Sequence, residues 1–185
     1  METTGHDSWT HQQALSYFKQ CLQIQKDLSA NVVHETHRQR LLHSPYQTRD
    51  LLLEPDLREL KINCDLSHWV VLCEHVFDAE KYPLRDSWWP SVLEMVCVHA
   101  GFIHARVGYD EGPQVPDPRD NKYAMPLQTH MQWWSAILKK KQAQGLESFY
   151  VEPEHGPEPY QIYPDGLSEE EKDKRLAGFN DSYNL

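Results

Sequence analysis

Four short apolar runs in this chain each carry a residue able to ligate a metal ion or move a proton. Glu35 closes VVHE, Asp65 closes KINCD, His104 lies within GFIHARVG, and Glu154 closes FYVEPE. Residues two apart on a strand share a face, so each of the four is in phase with the residue two positions before it. Carboxylates gathered in one place repel one another unless a cation sits among them. Oxygen donors with one nitrogen and no thiolate suit Mn or Mg, with Zn or Co less well matched. Taken singly, a strand-end Glu or Asp is ordinarily a helix cap or a loop carboxylate. The recurrence of the same phase in four successive runs is what argues for a site.

Two further residues belong to the same rim. His68, in DLSHW, either caps the helix that follows or, through the D-x-x-H spacing, stands beside Asp65 and contacts substrate. Arg106 shares a face with His104, and a buried guanidinium needs an anionic or polar partner. It either pairs with a neighbouring carboxylate or holds a substrate oxygen. His37 and Glu152 share faces with Glu35 and Glu154 and are weaker candidates, while the tryptophan pairs at 88/89 and 133/134 read as core.

The elements that must position these residues alternate. Thr10 and Gln13 form a capping box ahead of Ala14, Leu15, Phe18, Cys21, Leu22 and Leu28, which recur at helical spacing. A helix opens the chain, followed by the run VVHE, a loop, and a short helix ending near Pro55. KINCDL is the next strand; helices around WVVLCEHVF and in SWWPSVLEMVCVHA lead into GFIHARVG. A Pro-rich loop over 110–126 precedes a long helix with Gly145 as its C-terminal cap, and FYVEPE is the last strand. Four strands alternating with helices predict the α/β class, with parallel strands joined by right-handed crossovers and the four polar residues at the carboxyl edge of the sheet.

Composition bounds the function. A chain of 185 residues at 39% hydrophobic builds one ordinary core, so one domain is expected. The net charge of -10 disfavours a nucleic-acid partner. The polar opening METTGHDSWTHQQ and the shortness of every apolar run predict neither a signal peptide nor a membrane span, hence a cytoplasmic protein. Cysteines at 21, 64, 73 and 97 show no C-x-x-C pair and read as buried free thiols.

The segments HETHR, NCDLSHWV, IHARVGYDEGPQVPDPR and EPEHGPEPY resemble the carboxyl-terminal half of the sugar phosphate isomerase/epimerase family, the xylose isomerase-like TIM barrels, over about residues 5 to 162. The resemblance implies half of a (β/α)8 TIM barrel over residues 1–167, followed by a polar tail, 168–185, able to form a short helix. It implies a metal held by Glu35, Asp65, His104 and Glu154, substrate contacts from His68 and Arg106, and Glu35 and Glu154 doubling as acid and base. The implied reaction is isomerisation or epimerisation of a sugar or sugar phosphate through an enediolate at the carbon next to a carbonyl. A hydride shift would use the same ligands.

A full barrel has eight strands and about 250 residues, whereas this chain begins inside the family pattern at GHDSW. The first half is therefore expected from a second copy in a homodimer, from a separate N-terminal half barrel, or from a longer product of which this is a fragment. The residues are open to two other readings. One is a truncated, non-catalytic metal-binding half barrel; the other is a metal-dependent apurinic endonuclease-like hydrolase, which would want more His and Asp ligands and a basic surface.

Overall fold

The computed structural model describes residues 5–181. The first helix, α1 (His11–Asp27), starts where the capping box places it: the Thr10 hydroxyl accepts the Gln13 N–H, and Gln13 Oε1 accepts the Thr10 N–H at 2.9 Å. Its Ala14, Leu15 and Phe18 turn into the core. Strand β1 is short, His34–Glu35, and α2 (Pro45–Leu52) follows with Ser44 as cap and Pro45 in the first turn. A 3-10 turn, Pro55–Leu57, leads to β2 (Ile62–Cys64) and α3 (Ser67–Cys73). Glu74, at φ 49°, stops α3 in a left-handed conformation.

Helix α4 (Trp89–His99) runs directly into β3 (Ala100–Ala105), the longest strand. The Pro-rich loop then gives way to α5 (Ala124–Ala143), beyond which Gly145 takes φ 84°, a conformation glycine adopts without penalty. Strand β4 (Val151–Pro153) and helix α6 (Glu169–Asp181) complete the description. The segment read as a polar tail thus forms a helix, with Phe179 buried; its last four residues lie outside the described residues.

All three strand pairings are parallel and the order is β1-β2-β3-β4, an α/β sheet of four strands alternating with helices that is consistent with half of an α/β barrel. Neighbouring strands in sequence are neighbours in space, and among the described residues β1 and β4 each pair on one side only. The core lies between sheet and helices. Ile62, Cys64, Ile103 and Ala105 face it from the strands, and Trp69, Trp89, Trp133, Trp134 and Phe77 meet them from the helices and loops, with Trp89 and Trp133 rings 4.9 Å apart. The four cysteines are free, and Cys64 and Cys97 are buried. No helix among the described residues is long and apolar enough to cross a membrane.

Candidate metal centre

The opposite face of the sheet carries the site. Glu35 pairs in register with Asn63, Asn63 with Phe102, and His104 with Glu152, so residues 35, 63, 65, 102, 104, 152 and 154 share one side. Hydrogen bonds at the strand ends help to aim the ligands. Thr36 N–H donates to Asn63 O, and the Thr36 hydroxyl donates to the Asp65 carbonyl at 2.8 Å, which ties the end of β1 to the end of β2. Glu154 N–H reaches back to Ala105 O at 3.2 Å, tying the residue beyond β4 to β3.

Glu35, Asp65, His104 and Glu154 each present one ligand atom, and the four atoms lie within 4.8 Å of one another. His104 Nδ1 stands 2.9 Å from Glu35 Oε1 and 2.7 Å from Glu154 Oε2. The Nδ1 is aligned with Glu35, and Glu154 Oε2, though nearer, is buried without an aligned hydrogen-bond donor. An orphaned carboxylate oxygen facing two further carboxylates and an imidazole is a donor set that fits a divalent cation. The cluster is therefore able to hold a metal ion.

Asp65 is the most enclosed ligand, fully buried at the N-terminus of α3. Its Oδ1 accepts the Ser67 N–H at 3.2 Å and the Ser67 hydroxyl; its Oδ2 lies 3.1 Å from Arg106 Nε. Burial opposes its ionisation, but His68, Arg106 and Ser67 outweigh burial and hold the carboxyl below its ordinary range. Because burial pushes His68 itself down to about 4, the ring is neutral near pH 7, and Arg106 and Ser67 carry that effect there. For His104, burial disfavours the charge, yet Glu154 and Glu35 overcome it and raise the imidazole to about 10. Burial also opposes ionisation of Glu35, which the hydrogen bond from His104 reverses.

His68 lies in the first turn of α3 and makes no capping hydrogen bond. Its Nδ1 faces Arg38 Nη1 at 3.2 Å, so it accepts there and the ring proton sits on Nε2. That Nε2 is buried, without a hydrogen-bond partner, 3.4 Å from Asp65 Oδ2. Arg106, almost wholly buried, pairs with both Asp65 and Glu154 and donates to Gln114 Oε1 at 3.1 Å. Of the two weaker candidates, His37 packs against the His68 ring at a tilt of 49° with centroids 4.0 Å apart, and Glu152 is exposed with its carboxylate 3.8 Å from His104 Nε2.

Several residues of the site were not singled out from sequence. Gln114 makes a two-point contact with the backbone of Gly156, accepting its N–H at 2.7 Å and donating to its carbonyl at 3.0 Å. Asn180, from α6, does the same to His155, at 2.7 and 3.1 Å. Together they clamp the two residues that follow Glu154. Tyr160 lies under both guanidiniums, 4.4 Å from Arg106 and 5.5 Å from Arg38. Gln114, Tyr160 and Arg38 all fall in the loop motifs GPQVPDP, EPEHGPEPY and HETHR; nothing in their local spacing points inward. Gly108 matters for a different reason: a side chain there would meet the Ser67 backbone at 2.8 Å, so only glycine lets the end of β3 approach the start of α3.

Comparison with family models, with curated proteins and with solved structures finds no match to this chain. The class that the fold and the cluster define is an α/β protein with a carboxylate–imidazole site at the carboxyl edge of a parallel sheet.

Proposed function

We propose that this chain is a divalent-metal-dependent sugar or sugar phosphate isomerase or epimerase of the xylose isomerase-like kind, working by way of an enediolate at the carbon next to a carbonyl. The observation that carries the reading is the convergence of Glu35, Asp65, His104 and Glu154 within 4.8 Å. Three carboxylates and one imidazole favour Mn or Mg over Zn or Co, and the nearby thiol, Cys64, belongs to the opposite, core-facing side of β2. When bound, such an ion supplies Lewis acidity to vicinal hydroxyl and carbonyl oxygens of a sugar.

The chain's own residues do the rest. Glu35 and Glu154 lie on either side of His104, and each is less than half exposed, so one can take a proton from the reacting carbon while the other returns one to its neighbour or its opposite face. Arg106 holds Glu154 and Asp65 in place. The neutral His68, its Nε2–H unspent, donates to a substrate oxygen as negative charge develops there.

The test is solvent exchange. Incubation of ketoses with the Mn-loaded protein in deuterated water is expected to put label at the carbon next to the carbonyl, and Glu154→Gln to abolish it. Cleavage of abasic DNA with no label uptake would overturn the reading in favour of a nuclease; metal binding with neither activity would favour a non-catalytic metal-binding half barrel.

A further inference from the structure

Resting on that reading, we propose that the substrate carries an anionic group, a phosphate or a carboxylate, at the end remote from its chelating oxygens, and that Arg38 receives it. The chain is acidic, and Arg49, Arg58, Arg85, Arg106 and Arg119 each pair with a carboxylate. Arg38 has no carboxylate partner among the described residues. Its contacts are instead the Nδ1 of the buried His68 at 3.2 Å and the face of Tyr160 at 5.5 Å. An unpaired arginine on an open surface would be ordinary; this one is half-buried at the rim of the cluster.

Glu35, Asp65 and Glu154, with the exposed Glu152 beside them, are set against Arg106, and Arg38 stands at the rim of this cluster as a cation with no carboxylate of its own among the described residues. The His68 ring separates the guanidinium from the Asp65 carboxylate, with 3.2 Å on one side and 3.4 Å on the other. That puts Arg38 within reach of the far end of a sugar held at its other end by the cluster. A planar guanidinium matches phosphate and carboxylate oxygens two at a time, which fits it for this role. Tyr160, shared by Arg38 and Arg106, supplies an apolar floor between the two ends.

The experiment compares affinities of fructose, fructose 6-phosphate and fructuronate for the full chain with Mn bound, by titration calorimetry, in the wild type, Arg38→Met and Arg38→Lys. The expected result is at least a tenfold preference for one of the two anionic ketoses over fructose, lost in Arg38→Met, partly kept in Arg38→Lys, and weakened by added salt. Whether the phosphate or the carboxylate form shows the preference identifies the source of the anion. Equal binding of all three sugars, or a preference unchanged in both variants, would overturn the role of Arg38 alone. Binding of none of them would overturn the isomerase reading with it.

Discussion

His104 Nδ1 lies 2.7 Å from Glu154 Oε2, a contact between the interior of β3 and the residue just past β4. The same nitrogen is aligned with Glu35, and the Glu154 oxygen is without an aligned donor. A divalent ion held there would remove that frustration. Titration of Mn into chelator-treated protein is expected to show one site, with affinity reduced at least tenfold in Asp65→Asn and in His104→Ala. Parent-like Mn binding in both variants would exclude the four-residue assignment.

Arg106 neutralises Asp65 where no water reaches it. Replacing Arg106 by Met leaves that buried carboxylate without its guanidinium, and breaking such a pair costs about 3–5 kcal/mol. Urea unfolding in the presence of chelator measures it. A loss below about 1 kcal/mol would mean that Ser67 and His68 suffice to hold the charge.

Gln114 and Asn180 act on Glu154 through the backbone of Gly156 and His155. Removing groups that orient metal ligands typically costs 10–100-fold in affinity. Gln114→Ala and Asn180→Ala are each expected to weaken Mn binding by at least about tenfold, while near-ultraviolet dichroism of the buried tryptophans stays as in the parent. Unchanged Mn affinity in both would show that the strand end alone positions Glu154.

His130 is wholly buried; its Nδ1 faces Pro126 O at 2.8 Å and its Nε2 accepts the Gly108 N–H at 3.3 Å. Burial lowers it to about 4. An unfolded histidine titrates near ~6.5, so between about 6.5 and about 4 the unfolded chain binds a proton that the folded one refuses, and stability falls as the pH falls. The loss from His130 is on the order of 3 kcal/mol across that window. His34 and His155, lowered by burial to about 4, act in the same direction. Urea midpoints measured at several pH values across the window should decline toward acid, less steeply in His130→Gln; a flat profile in the parent would contradict the neutral, buried imidazole.

Among the described residues, strands β1 and β4 leave one side each unpaired, and near β4 the stacked rings of Phe102 and Tyr150 lie on the open face, with Tyr150 75% exposed. Unpaired strand edges beside exposed aromatic surface favour association. Sedimentation is expected to show a dimer or larger species rather than a monomer at micromolar concentration. A compact monomer with cooperative melting would show that the open edges are tolerated.

Much of this arrangement is local in origin and therefore readable from sequence. The capping box at Thr10 and Gln13, the stop at Gly145 and the alternation of strand with helix depend on residues a few positions apart. The in-phase placement of Glu35, Asp65, His104 and Glu154 needs only the period of two of a strand and parallel pairing. The extent of the first strand was not legible in this way. VVHE has four residues of strand-forming pattern, but ladder pairing to β2 begins at His34, whose N–H meets Lys61 O, so Val32 and Val33 fall outside it.

What only the tertiary structure decided is which partners the polar side chains take. Arg106 meets Asp65, 41 positions away, and Gln114 meets Gly156, 42 away, because the β2–β3 register and the path of two loops bring them together. A sequence pattern records which face a residue occupies; it does not record where a loop returns. The two alternatives for Arg106 and for His68 were open for that reason. The placement of Arg38 against His68, and of α6 against the residue after Glu154, rests on the same cause: long-range contacts depend on the packing of the whole chain, not on the spacing of any short stretch.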